Sequence, residues 1–180
     1  KKEELVAGGV WMTHVLHLDN KGKADMGDVS AKTENERMAV AGGTVTMKPE
    51  TLRLIRDGLL KKGDVLTVAR IAGIMAAKRT SELIPLCHPI SISGVQVDLA
   101  VTDEAVEITA TVRTADRTGV EMEALTAVAV AGLTVIAMVK AVDQAAAIED
   151  VRVPTKPRGR AGRGHRRRAG PAGAAAARPP

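Results

Sequence analysis

Apolar positions along the chain change period several times, and each change predicts an element. Leu52, Ile55 and Leu59 recur at helical spacing behind Pro49 and Glu50, which suit a first helical turn. Lys61-Lys62-Gly63 closes that helix, and Asp64 can cap the next one. Val65 to Leu83 is apolar on most faces and reads as a second helix, marked by Arg70, Lys78 and Arg79. Pro85 and Pro89 bracket an extended turn, Leu86-Cys87-His88. Val95, Val97, Leu99 and Val101 alternate with other residues, as do Val106, Ile108, Ala110 and Val112, with Asp103-Glu104 between the two runs. That is a hairpin with one buried face. Thr118-Gly119-Val120-Glu121 opens a long helix to about Val142, and Ile148 to Val153 reads as a last strand. Gly43 to Met47 reads as a short first strand, preceded by irregular chain. The order predicts an α+β sandwich: a mostly antiparallel sheet with helices packed on one face.

Composition narrows the picture. The chain has 180 residues, 45% hydrophobic and 26% charged, which suits one compact domain with or without a tail and excludes wholesale disorder. The single cysteine, Cys87, excludes an intramolecular disulfide and any multi-cysteine metal centre. Phe and Tyr are absent and Trp11 is the one aromatic, so a stacking platform for single-stranded nucleic acid is excluded. The longest uncharged run, Ala124 to Val139, has 16 residues, short of the ~20 that span a membrane. It reads as a buried helix. Lys1-Lys2-Glu3-Glu4 has no apolar run of a secretion signal behind it. A cytoplasmic protein is expected, with no membrane partner.

The net charge of +5 belongs to the C-terminus. Residues 157–180 hold seven Arg, seven Ala, five Gly, four Pro and one His. Nothing there can build a core, and the segment is expected to be disordered. Residues 1–156 carry 19 basic and 21 acidic side chains, a net charge of −2. Arg158, Arg160, Arg163 and Arg166 to Arg168 could bind a polyanion through charge alone. No specific nucleic acid is expected.

Several residues carry candidate chemistry. Thr118-x-x-Glu121 fits a capping box, which by itself would account for Glu121. Glu123 would complement the helix dipole, yet two acids in one turn, facing different ways, also suit acid–base chemistry. Cys87 and His88 are adjacent in extended chain and point to opposite faces, so they do not form a dyad with each other. Cys87 reads as a small buried hydrophobe; His88, pinned between prolines, is the better-placed acid, base or ligand contact. His14 and His17 lack the further ligands of a metal site, and no metal is expected. Lys61-Lys62 and Lys78-Arg79 are either solvated helix ends or, if they converge, phosphate contacts. Neither a Walker loop nor GxGxxG is present. Lys140, the one charge on the long helix after Glu123, either snorkels at the helix end or serves as an acid or base.

Three linked stretches go further: Ala76-Ala77-Lys78-Arg79-Thr80, Leu83-Ile84-Pro85-Leu86-Cys87-His88-Pro89 and Thr118 to Thr126. They closely resemble the cyclic pyranopterin monophosphate synthase family, the molybdenum cofactor biosynthesis protein C family. Lys62-Gly63-Asp64, Ala69 to Ile74, Met138-x-Lys140-Ala141-Val142 and Asp28-Val29-Ser30 with Arg37 extend the likeness over about residues 26–156. Residues 1–25 then form an irregular leading segment and residues 157–180 a tail. The resemblance implies a ferredoxin-like fold and a homo-hexamer, a trimer of dimers with active sites at dimer interfaces. It implies the substrate 3′,8-cyclo-7,8-dihydro-GTP, converted to cyclic pyranopterin monophosphate with release of pyrophosphate. No cofactor is required, though Mg²⁺ could accompany the triphosphate. By the same resemblance, substrate contacts fall on Leu86, Cys87, His88, Met122, Glu123 and Lys156, with Lys78 and Arg79 in one matched stretch. Acid–base and phosphate roles fall on Lys62 and Lys140, and the purine and sugar on His88, Glu121 and Glu123.

Helix length adds a constraint. Glu121 and Lys140 lie 19 residues apart on one helix, roughly 28 Å at 1.5 Å per residue. A twofold-related, antiparallel partner helix would bring one chain's Glu end near the other's Lys end. The chain also departs from the pattern it resembles. Where the family reads Tyr-Asp-Met, this chain reads Ile136-Ala137-Met138, so the family's active-site acid is Ala137. A missing general acid or base typically costs about 10²- to 10⁴-fold in rate. Two alternatives stand beside an active synthase: a family member that binds substrate without turnover, and a polyanion-binding protein acting through the tail.

Overall fold

The computed structural model describes residue 19 and residues 21–154. His14, His17, Lys156 and the 157–180 tail lie outside them. Among the described residues, four strands and four helices follow in the order β1 (Asn35–Thr46), α1 (Pro49–Arg56), α2 (Val65–Ala77), α3 (Thr80–Leu83), β2 (Ile92–Val101), β3 (Ala105–Asp116), α4 (Glu121–Val139) and β4 (Ala147–Arg152). The strands make one sheet in the order β2-β3-β1-β4, every neighbouring pair antiparallel. α2 and α4 pack against each other and onto one face of it. This is the expected α+β, ferredoxin-like sandwich.

The core sits between that face and the two helices. Val97 of β2, Ala39, Ala41 and Val45 of β1, and Val106, Ile108, Ala110 and Val112 of β3 are buried there. The helices answer with small residues. Ala69, Gly73 and Ala76 of α2 and Ala124, Ala127 and Ala131 of α4 are all buried. An ideal Cβ on Gly73 would lie 3.0 Å from the Ala127 carbonyl oxygen, and one on Gly43 only 2.8 Å from Val128 Cγ1. α4 is therefore seated close to both its partner helix and the sheet. Its length and apolarity match those of a membrane span, but half of its most apolar window is buried inside the fold.

Several boundaries differ from the sequence reading. β1 begins at Asn35, not Gly43. Its core positions are small, Ala39, Ala41 and Gly43, so alternation of large apolar residues is weak, while twelve-residue pairing with β3 from Asn35↔Asp116 to Thr46↔Ala105 sets the true length. The second helix breaks after Ala77. Arg79 leaves helical geometry, and the Thr80 hydroxyl donates to the carbonyls of Ala76 and Ala77, so α3 starts anew. α1 and α4 each stop earlier than expected, at Arg56 and Val139. The capping box does not form: Val120 is the N-cap of α4, no side chain caps it, and Glu121 curls back over Gly119.

One buried acid holds the far end of the helical layer. Asp143 is 1% exposed. Its carboxylate accepts from the main-chain N–H groups of Lys48 (2.8 Å) and Ala145 (2.9 Å) and from the Thr51 hydroxyl (3.0 Å). It ties the start of α1 to the loop after Lys140. The Lys48 N–H, with help from Thr51 and Ala145, keeps its carboxyl below the usual range.

Candidate active site

The Pro85 turn forms one wall of a cleft of about 310 Å³. Cys87 N–H donates to the Ile84 carbonyl, with Pro85 second in the turn and Leu86 third at φ 63°. A type II turn demands positive φ at that third position, normally glycine's place. Leucine there costs on the order of 1–3 kcal/mol. The strained turn presents Leu86, Cys87 and His88 to the cleft, and the first turn of α4 faces them with Glu121, Met122 and Glu123.

Cys87 and His88 turn apart, as adjacent extended residues should. The Cys87 thiol lies 3.7 Å from Glu123 Oε1, whereas His88 Nε2 lies 2.8 Å from the Gly27 carbonyl oxygen. Burial, then the Glu123 carboxylate, pushes the thiol up to about 11. At neutral pH it is a neutral hydrogen-bond donor. Glu123 is 3% exposed. Its burial raises the carboxyl above the ordinary range, against the opposing pull of its own N–H and the Cys87 thiol. A carboxyl so placed favours carrying a proton. Glu121, by contrast, is exposed at the rim.

The lysines sit elsewhere. Lys140 is the C-cap of α4, at the opposite end from Glu121. Lys62 reaches the same end, its Nζ donating to the Ala137 carbonyl at 3.0 Å. The last carbonyls of a helix lack partners within it and carry partial negative charge. Here the Ala137 carbonyl takes up the Lys62 ammonium. Lys78 and Arg79 lie exposed at the α2–α3 corner and do not line the cleft. The fold thus gathers Leu86, Cys87, His88, Glu121, Met122 and Glu123 at one end of α4, and Lys62 and Lys140 at the other. Among the described residues that line the cleft there is no lysine or arginine.

Two contributors were not singled out from sequence. Val29 lines the cleft, and Gly27 meets His88 through its carbonyl. The Asp28-Val29-Ser30 likeness hinted at this segment, but a main-chain contact leaves no side-chain signature. Among the described residues no group of three His, Cys, Asp or Glu is placed to hold a metal ion.

Comparison with known proteins gives a consistent picture. The MoaC family profile matches residues 26–159. The cyclic pyranopterin monophosphate synthase of Streptomyces coelicolor is 62% identical over 148 residues, 82% of this chain and 87% of that protein. That of Thermomicrobium roseum is 56% identical over 153 residues, 84% and 92% of the two chains. Cyclic pyranopterin monophosphate synthase 2 of Mycobacterium bovis is 55% identical over 151 residues, 84% and 90%.

Proposed function

The chain belongs to the MoaC family, and we infer that it acts as a cyclic pyranopterin monophosphate synthase, a lyase of molybdenum cofactor biosynthesis. Its substrate is 3′,8-cyclo-7,8-dihydro-GTP, its products cyclic pyranopterin monophosphate and pyrophosphate, and it works in the cytoplasm. The reaction opens a purine ring, rebuilds a pyran-fused pterin and closes a cyclic phosphate. It calls for several proton transfers and for cations against a triphosphate. The chain's residues suit both tasks, but at separate ends of α4.

That separation is the observation that carries the reading. Among the described residues, the cleft offers a buried carboxyl, an imidazole and a neutral thiol to a purine and sugar, yet no lysine or arginine to a triphosphate. Lys140 waits roughly 28 Å along the helix from Glu121, with Lys62 on the Ala137 carbonyl at that same end, too far for one nucleotide to bridge. Two copies paired by a twofold axis, with their α4 helices antiparallel, would place the lysines of one beside the cleft of the other. The exposed face of the helical layer suits such pairing. Leu133 of α4 is 57% exposed, and Val68, Ile71 and Met75 form an apolar stripe on α2. A hexamer of three such dimers completes the proposed assembly.

Within the shared site, Glu123 and His88 exchange protons with the purine or sugar, and Glu121 helps to hold them. Lys62 and Lys140 neutralise the triphosphate and move protons where it cyclises. Ala137 puts no acid beside Lys140, so proton transfer at that end falls to the lysines. A genetic test is direct. The gene is placed in a bacterium lacking its own cyclic pyranopterin monophosphate synthase. Recovery of molybdenum-dependent nitrate reductase activity is expected; no recovery from soluble, correctly assembled protein would overturn the reading.

A further inference from the structure

The segment from Met26 to Glu34 is a strap beside the cleft, with Val29 in the cleft lining. It has no helix or strand of its own, yet it is tied down at several points. The Asp28 carboxylate accepts from both the N–H (2.8 Å) and the hydroxyl of Ser30. The Lys32 N–H closes a turn on the Val29 carbonyl at 3.0 Å. Glu34 pairs with Arg117, at the start of the loop leading to α4, at 3.6 Å. Gly27 and Val29 are the strap residues that are half-buried, two apart and both facing inward. Val29 forms cleft wall, and the Gly27 carbonyl meets His88 Nε2 at 2.8 Å.

A carbonyl oxygen can only accept a hydrogen bond. At 2.8 Å the Nε2 of His88 must therefore carry the proton, whether the ring is neutral or cationic. The other ring nitrogen is set by that bond. We propose that Gly27 is a positioning residue, whose main-chain carbonyl fixes His88 in its Nε2–H form and leaves Nδ1 as the nitrogen that exchanges protons in the cleft. Asp28 of the strap is the charge beside the ring, with Arg117 next to Asp28; Cys87, Glu121 and Glu123 are the other titratable groups that line the same cleft. Ser30, more than any charge, holds the Asp28 carboxyl below its ordinary range, so an anion stays beside the ring. The use of Nδ1 in turnover rests on the function proposed above; the tautomer does not.

The test uses the full chain with ring-¹⁵N histidine. Long-range ¹H–¹⁵N spectra are followed from about pH 5 to pH 9, the span over which imidazoles titrate. His88 is assigned by the signals that vanish in His88→Gln, which separates it from His14, His17 and His165. The expected result is a neutral ring protonated at Nε2, an Nε2–H slow to exchange with water, and titration at Nδ1. A neutral ring protonated at Nδ1, or an Nε2–H exchanging as fast as that of a free imidazole, overturns the proposal. A kinetic arm reads the division of labour. His88→Gln keeps an amide N–H near the Nε2 position, so KM stays within about threefold while kcat falls by about 10²-fold or more. His88→Asn loses the strap contact as well and raises KM. A His88→Gln enzyme with near-native kcat overturns the role of Nδ1. The spectra need no turnover, so an inactive preparation counts against the proposed function and leaves the positioning claim to be decided by the tautomer.

Discussion

A site shared between two copies makes a quantitative prediction for mixed assemblies. Lys140→Ala removes a cation at one end of α4, and Glu123→Gln removes the buried acid at the other. Each variant alone should lose about 10²-fold or more in turnover, the usual cost of a well-placed acid or base. If each active site takes its lysines from one copy and its Glu123 from the other, a mixed dimer has one fully native site and one doubly altered site. Random pairing of equal amounts makes half the dimers mixed, so about one quarter of all sites are native. Co-expressed chains, purified together, should therefore recover about 25% of native pyrophosphate release, far above either parent. The distance sets the sign of the result: roughly 28 Å of helix separates the two residues within one chain. Activity of the mixture no greater than the mean of the two parents would refute the shared site.

Glu123→Gln should also reveal the cost of burying an acid. Because the folded carboxyl is raised, the native state holds the proton more tightly than the unfolded one, so its stability falls as pH rises through the folded value; thermal unfolding should find the variant more stable than native at pH 8, with the advantage shrinking below the ordinary carboxylate range. Asp143 has the opposite sign. Its lowered carboxyl stabilises the fold at neutral pH and loses that effect as pH falls through its folded value, and Asp143→Ala should cost about 3 kcal/mol in urea unfolding, from the charged hydrogen bonds to Lys48, Thr51 and Ala145 lost together. Gly73→Ala gains about 1 kcal/mol of helix propensity, but its Cβ would meet the Ala127 carbonyl at 3.0 Å on a helix that Gly43 seats tightly, and overpacking costs about 1–3 kcal/mol; a lower unfolding midpoint is expected, and a higher one would show that α4 can yield.

Much of this was legible in the residues, for identifiable reasons. The hairpin from Ile92 to Asp116 announces itself because its inward positions are large and branched. The two halves of the cleft also read directly, since Leu86 to His88 sit in a proline-bounded turn and Met122-Glu123 open a helix. The span of α4 even predicted that Glu121 and Lys140 stand apart. What stayed hidden had weaker signatures. β1 begins at Asn35 because pairing with β3 lengthens it, while Ala39 and Ala41 give little apolar contrast. The break at Lys78-Arg79 has neither glycine nor proline; it comes from the Thr80 hydroxyl bonding back to α2. The Thr118–Glu121 pattern matches a cap, yet Val120 takes that position and Glu121 folds over Gly119. Lys62 and His88 both end on carbonyl oxygens, of Ala137 and Gly27, and a main-chain acceptor exists at every residue, so no motif marks these two.

The central claim is that this chain, with Ala137 at the end of α4, converts 3′,8-cyclo-7,8-dihydro-GTP. The direct measurement is pyrophosphate and cyclic pyranopterin monophosphate formed by the purified chain, beside Ala137→Asp. The account predicts one product per pyrophosphate from the chain as it stands, and faster turnover when a carboxylate at 137 joins Lys62 and Lys140. Substrate left unconverted by both proteins, under conditions where they assemble, would contradict it.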